Sequence, residues 1–451
     1  VTSDITATAV SSTGLLTDHY ELTMIRAALE GGTASRRTVF EMFARQLPPG
    51  RRYGVVAGTG RFLDALAQFR FGPAELSFLR GAGVIDEPTA RFLAEYRFSG
   101  SIWGYPEGEC YFPGSPILVV EGTFAEAVVL ETLALSIFNH DSAVASAASR
   151  MVTSAGRRPI IEMGSRRTHE IAAVAAARAA YIAGFATTSN LRAGLEYGVP
   201  TAGTSAHAFT MVFDDERQAF CVQLEALGLD TTLLVDTYDV PTAVRTAVEL
   251  AGSALGAVRI DSGDVAAVAS GVREQLDSLG AERTRIVVTG DLDEYQIARL
   301  AGAPVDGYGV GTALVTGSGA PTAALVYKLV ARSANGGPVL APVAKRSVGK
   351  PTMGGRKWAA RRLDATGTAT AEVVSLTPAG DQPELRPLLR QLVRDGEIIG
   401  AETLGDARAR HQHAVAELPA QGRVPEPGEP AIPTQFTPVG PAVDSVAAVR
   451  Q

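Results

Sequence analysis

The 451-residue chain holds only two cysteines, Cys110 and Cys221, and no Cys-x-x-Cys pair. That excludes a structural zinc site of the usual spacing and a disulfide framework, which a chain of this length does not need. Histidine is scarce as well, and no His-Glu-x-x-His segment occurs, so a helix-borne zinc centre has no signature here. Long runs of lysine or arginine are missing and the net charge is −7. Binding driven by neutralisation of nucleic-acid phosphates is therefore excluded, and an anionic ligand must be met by a few locally gathered cations. No apolar stretch is long enough to span a bilayer, so neither nucleic acid nor membrane is an expected partner. Val1–Ser12 carries neither a basic n-region nor an apolar h-region, and the cytoplasm is the expected compartment.

What is present is an ordinary globular composition, 46% hydrophobic and 20% charged, in a chain long enough for two domains. Arg37–Phe43 and Ser115–Gly122 read as strands, with helical patterns at Tyr20–Glu30 and Tyr53–Phe69. From Phe124 the chain turns alanine-rich and helical through Arg150. Short apolar runs then alternate with helical stretches: Pro159–Glu162, Ala180–Ala183, Pro200–Ala202, Leu233–Val235, Val258–Ile260, Ile286–Val288 and Asp306–Val310. Such alternation argues for parallel strands with crossover helices, and about seven repeats approach a barrel. After Ala323, Leu325–Ala331 and Pro342–Lys345 read as antiparallel strands, followed by the basic Lys350–Arg362, as if the chain returns to complete its first domain. Past Leu418 proline and glycine cluster without periodicity, which reads as a loose tail.

Charge, hydroxyl and glycine gather where these runs end. A polar residue directly after a buried parallel strand sits at its carboxyl end, where barrels and open α/β sheets build their sites. Gly203-Thr204-Ser205-Ala206-His207 places a histidine in such a position, able to act as general base or as nucleophile. Arg259-Ile260-Asp261-Ser262-Gly263-Asp264 packs one arginine and two carboxylates together, with Arg259 and Asp261 on the same side of the strand by alternation. Those carboxylates suit magnesium or sugar hydroxyls; a structural Arg259–Asp261 ion pair is the plainer alternative. Thr289-Gly290-Asp291 and Gly309-Val310-Gly311-Thr312 are glycine turns leaving adjacent strands, which either cradle a phosphate or merely turn the chain. Arg166 and Arg167 follow another strand, a pairing that suits phosphate or carboxylate and equally a solvated helix start.

Together these motifs resemble the nicotinate phosphoribosyltransferases. The resemblance is carried, in family order, by Leu15–Tyr20, Phe40–Phe43, Glu162–Arg167, Gly203–His207, Val258–Asp264, Thr289–Asp291 and Gly309–Thr312. It implies an irregular α/β barrel of parallel strands beside a discontinuous α/β sandwich domain. The expected boundaries are an arm at 1–13, the sandwich at 14–135 and 325–417, the barrel at 136–324 and a tail at 418–451. It also implies a homodimer and a reaction, nicotinate plus phosphoribosyl pyrophosphate giving nicotinate mononucleotide and pyrophosphate, with Mg2+ and with ATP as co-substrate.

By the same resemblance His207 is phosphorylated by ATP, Arg259 and Thr204 with Arg166 hold nicotinate, and Tyr20 stacks on its ring from a partner subunit. Gly290, Asp291, Gly311 and Thr312 would hold the ribose phosphate, and Asp261 and Asp264 the ribose or the magnesium–pyrophosphate end. Relatives commonly stack an aromatic residue where Met163 aligns. Asn190 aligns where the nicotinamide-using relative has an aspartate; a neutral side chain there does not repel a carboxylate, which favours nicotinate. The competing readings are a nicotinamide or quinolinate enzyme of the same class, and a phosphosugar-binding barrel without catalysis.

Overall fold

The computed structural model describes residues 12–334, 337, 339–345 and 353–437. Most of the expected arm, the start of the Lys350–Arg362 segment and the end of the tail lie outside them. The chain divides into two compact units, one of residues 1–139, 323–422 and 429–451, the other of residues 140–322 and 423–428. Among the described residues no helix is long and apolar enough to cross a membrane.

The first unit is built on a seven-stranded antiparallel sheet in the order Leu340–Pro342, Leu325–Ser333, Arg37–Ala44, Leu118–Thr123, Ser101–Gly104, Arg390–Arg394 and Glu397–Ile398. An interior strand of it, Arg37–Ala44, is buried along all but its first residue, so both faces are covered and the strand reads as a nearly unbroken apolar run. Glu41 interrupts that run and is held by Lys357, whose Nζ lies 3.0 Å from both carboxylate oxygens. The helix expected over Tyr53–Phe69 is shorter: Gly54–Val55 is a strand, and Gly58 at φ 104° starts the helix Thr59–Ala67. A left-handed glycine at that point separates the two elements, which periodicity alone could not.

A smaller sheet of Leu385–Pro387, Trp358–Leu363, Ala369–Ser375 and Thr434–Phe436 completes this unit. The segment expected as a loose tail is thus ordered to Phe436, because its backbone pairs parallel with the edge of Ala369–Ser375. Beneath it Arg361 is fully buried between Glu372 (3.0 Å) and Glu109 (3.6 Å). His411 is buried close by, its Nδ1 3.3 Å from the Gly108 carbonyl, and burial holds its pKa down at about 4.

The second unit is a sheet of six parallel strands in the order Thr187–Thr188, Ile160–Glu162, Gly307–Val310, Arg285–Val288, Ala257–Ile260 and Thr232–Leu234. It forms a half-barrel with helices in the crossovers. Two expected strands are corrected. Ala180–Ala183 ends the helix Glu170–Ile182, since its apolar residues continue a run of alanines that favours helix. The strand lies just beyond, at Thr187–Thr188, after Gly184 turns the chain at φ 113°. Pro200–Ala202 contributes only an isolated bridge from Thr201 to Thr188.

His411 makes the first unit sensitive to acid. It stays neutral in the fold, while the unfolded chain takes up the proton near pH 6.5, so stability is lost as pH falls from 6.5 towards 4. His411→Asn should flatten that slope by as much as about 3 kcal/mol, read as the difference between wild-type and variant urea midpoints at pH 7 and pH 4.5. Parallel slopes in the two proteins would refute it.

Candidate active site

Parallel pairing sends the carboxyl end of every strand in the second unit to the same edge, and the polar residues picked out above sit there. The ladder continues past the strands and fixes this backbone. Met163 N–H donates to the Val310 carbonyl (2.8 Å), Val235 N–H to Arg259 (3.2 Å) and Thr289 N–H to Ile260 (2.9 Å).

His207 is not directly after a strand. It opens a short helix, His207–Met211, reached through a loop from the Thr188–Thr201 bridge. Its Nε2 lies 3.2 Å from Oδ1 of Asp236, whose side chain is 2% exposed. The other oxygen of Asp236 accepts from the Asp261 N–H (2.8 Å) and the Ser262 hydroxyl (2.7 Å). One buried carboxylate thus ties the histidine to the Asp261–Asp264 loop. Sequence reading overlooked Asp236 as a site residue; its only signal is a carboxylate directly after the run Leu233-Leu234-Val235.

Arg259 donates through Nη1 to the Thr204 hydroxyl, while its Nε is buried with no partner among the described residues. Burial holds its pKa below the usual arginine value, opposed by Asp261 and Asp236 and reinforced by Arg166. Arg259 therefore feels the charges of three other predicted or newly found site residues. The plainer ion pair of Arg259 with Asp261 is not made; instead Asp261 accepts from the Thr289 hydroxyl. A buried N–H left unmet costs about 1–3 kcal/mol, which an anionic ligand would relieve.

Glu162 organises the Met163–Arg167 turn. It accepts from the Gly164 N–H and the Thr188 hydroxyl, and burial pushes its pKa up. Asn190 is engaged at both ends: Oδ1 caps the helix Leu191–Tyr197 through Ala193 N–H (2.9 Å), and Nδ2 donates to Ser165 Oγ (3.0 Å). Met163 lies over Gly309, where an added Cβ would meet its sulfur at 2.7 Å and Thr289 Cγ2 at 2.6 Å.

The two glycine loops differ. Gly290 adopts φ 125°, and a Cβ there would stand 3.3 Å from the Asp261 carbonyl. Gly311 precedes a single helical turn, Thr312–Val315, which offers N–H groups but little dipole. Asp264 is exposed and caps the helix Val265–Ser278 through Ala267 N–H (3.3 Å). Asp261, Asp264, Gly290 and Asp291 border a cavity of about 500 Å3. Among the described residues no group of three or more His, Cys, Asp or Glu side chains is placed to hold a metal ion. Tyr20 belongs to the first unit, half-exposed on the first turn of helix His19–Glu30, where burial and Glu131 push its pKa up to about 12.

Residues 15–139 match the family described as nicotinate phosphoribosyltransferase (NAPRTase) N-terminal domain. A nicotinate phosphoribosyltransferase of Mycobacterium tuberculosis is 60% identical over 437 residues, covering 94% of this chain and 95% of its own. The chain belongs to the nicotinate phosphoribosyltransferase family. A Bacillus subtilis nicotinate phosphoribosyltransferase is 37% identical, covering 77% of this chain and 72% of the relative. The crystal structure of human nicotinic acid phosphoribosyltransferase superposes with a TM-score of 0.77 at 26% identity, over 94% of this chain and 97% of that one. The expected family and fold class thus stand.

Within this family member, Gly309 makes the floor on which Met163 and Thr289 rest. Gly309→Ala should displace one or both and lower stability by about 1–3 kcal/mol, measured by chemical denaturation. An unchanged midpoint would mean that neither side chain is held there.

Proposed function

We propose that this chain transfers phosphoribosyl from phosphoribosyl pyrophosphate to nicotinate, with ATP hydrolysis coupled through a phosphohistidine at His207. The observation that carries the reading is Arg259, half-buried, its buried Nε short of a hydrogen-bond partner and its Nη1 joined to Thr204. A carboxylate on the pyridine ring satisfies that guanidinium; a nicotinamide amide brings no charge to it, which ranks the nicotinamide reading second.

Displacing pyrophosphate from the anomeric carbon passes through an oxocarbenium-like state, so positioning and charge do most of the work. Arg259 and Thr204 orient nicotinate so that its ring nitrogen faces the sugar. Asp261, fixed by Thr289 through its side chain and by Asp236 through its N–H, meets the ribose. The glycine turns at Gly290 and Gly311, with Asp291 and Thr312, receive its phosphate. Asp261 and Asp264 would hold Mg2+ only as one or two carboxylates beside substrate phosphates and water, and the ion would supply charge neutralisation for the leaving pyrophosphate. Tyr20 of a second copy closes the ring site in a homodimer, by family resemblance. The enzyme is placed in the cytoplasm, where its phosphorylated substrates are confined by their charge.

Asp236 assigns the tautomer of His207. A carboxylate only accepts, so the nitrogen facing it, Nε2, carries the proton and Nδ1 keeps the lone pair. Nδ1 attacks the γ-phosphorus of ATP, an N–P bond forms, the bridging P–O bond breaks and ADP leaves; water later cleaves the N–P bond and releases phosphate.

The test supplies phosphoribosyl pyrophosphate, magnesium and an equal mixture of nicotinate, nicotinamide and quinolinate, with and without ATP. Nicotinate mononucleotide should dominate and increase with ATP. His207→Ala should abolish the ATP-dependent increase, and Asp236→Asn should cut it by roughly 100-fold or more with little change in melting temperature. Full ATP stimulation in His207→Ala would overturn the phosphohistidine, and no mononucleotide from any acceptor would leave a phosphosugar-binding protein. Asn190→Asp keeps a capping oxygen but adds charge beside Ser165, so the KM for nicotinate should rise about tenfold at unchanged stability. An unchanged KM would confine Asn190 to the helix cap.

A further inference from the structure

Glu294 is fully buried at the first position of the helix Glu294–Arg299, which starts just past the Thr289–Asp291 turn. A carboxylate shut away from water must have its oxygens bonded, and each oxygen of Glu294 takes a partner from elsewhere in the chain. Oε1 pairs with Arg150 Nη1 at 2.8 Å, and Oε2 accepts from Ser318 Oγ at 2.6 Å. Ser318 closes the turn after the helix Thr312–Val315, the one that Gly311 precedes, and its N–H donates to the Ala313 carbonyl (2.6 Å). One buried side chain therefore joins the segments that follow the two glycine turns. Ser318 stands at φ 51° between Gly317 at 62° and Gly319 at 83°. A third glycine would adopt that left-handed conformation more easily; serine bears the strain and brings a hydroxyl to Glu294.

Arg150, on the helix Glu131–Ala155, is buried as well, and Glu294 does not exhaust its donors. Its Nη2 donates to the Tyr295 hydroxyl (3.0 Å) and to the Pro425 carbonyl. Pro425 lies in residues 423–428, which belong to the second unit although the chain before and after them belongs to the first. A main-chain carbonyl makes this bond, so the segment contributes its course through the second unit and not a side chain. A chain of bonds thus runs from residues 423–428 through Arg150 and Glu294 to Ser318, all within that unit. A buried ion pair adds little stability over an apolar pair of the same shape, and its best-attested use is to fix one arrangement of its neighbours. The neighbours here are the two turns proposed to receive the sugar phosphate.

We propose that Arg150, Glu294 and Ser318 are positioning residues that set the spacing of the two glycine turns, and that residues 423–428 strap Arg150 in place. The C-terminal segment thereby tunes affinity for phosphoribosyl pyrophosphate without touching it. This role rests on the phosphate assignment of the turns given above. None of the three residues lines the cavity bordered by Asp261 and Asp291, and none is bonded to Arg259 or Thr204, so nicotinate should be spared.

Calorimetric titration of the full-length enzyme with magnesium phosphoribosyl pyrophosphate, together with initial rates against each substrate, tests this. Ser318→Gly removes the hydroxyl where glycine is unstrained, so the melting temperature should change little while the Kd and KM for phosphoribosyl pyrophosphate rise about tenfold. Arg150→Lys keeps a cation for Glu294 but gives up the bonds to Tyr295 and Pro425, and should raise the same two constants about threefold or more. In both variants kcat and the KM for nicotinate should change by less than about twofold. The double variant should lose no more than Ser318→Gly alone, since both cuts fall on one chain of bonds. Wild-type affinity for phosphoribosyl pyrophosphate in Ser318→Gly and Arg150→Lys alike overturns the positioning role while leaving the reaction standing. Losses spread equally over phosphoribosyl pyrophosphate, nicotinate and melting temperature would make the three residues structural and overturn it as well. A wild-type enzyme that binds no phosphoribosyl pyrophosphate and makes no nicotinate mononucleotide refutes the phosphate assignment, and the positioning role falls with it.

Discussion

Parallel pairing is the constraint from which the candidate site follows. Because every strand of the half-barrel runs the same way, Met163, Ser189, Asp236, Asp261, Thr289 and Gly311 come to one edge without any having been close in sequence. The edge supplies position but not orientation. Orientation comes from buried carboxylates that accept several hydrogen bonds each: Asp236 joins the helix of His207 to the loop of Asp261, and Glu162 joins the Met163 turn to Thr188. Such groups are costly to bury unless fully bonded, so each holds its neighbours in one arrangement.

The two carboxylates do different work. Asp236 meets an imidazole, an N–H and a hydroxyl, all able to donate, and so fixes both a loop and a tautomer. Glu162 meets only an N–H and a hydroxyl, and burial pushes its pKa up. It shapes the turn that carries Met163 and Arg166.

Strands were legible where an apolar run ended in a charged or small residue, as at Ala257–Ile260 and Arg285–Val288, because both the run and its stop are local signals. Ala180–Ala183 misled because a helix built of alanine is apolar all round and ends without a polar marker. Thr187–Thr188 escaped because two threonines carry no hydrophobic period. At the site, residue type singled out His207, Arg259 and the glycine turns as candidates. What it could not reveal was pairing. Asp236 looked like any carboxylate after a strand, and nothing local showed that Asn190 is bonded to both Ser165 and Ala193. Partners of this kind lie 25 to 29 residues away or are set by a helix start, so only the fold brings them into view.

The ordered end of the chain bears on how the protein is made. Thr434–Phe436 closes the edge of the smaller sheet in the first unit, and the Pro425 carbonyl accepts from Arg150 in the second. Each unit is therefore finished by residues that lie late in the chain, after those that build the rest of it. Vectorial synthesis cannot complete one unit and then the other, as it does in chains whose domains follow in sequence. Until Phe436 has emerged, an unpaired strand edge and a buried arginine short of a partner persist in the nascent chain, and both are features that chaperones and aggregation act on.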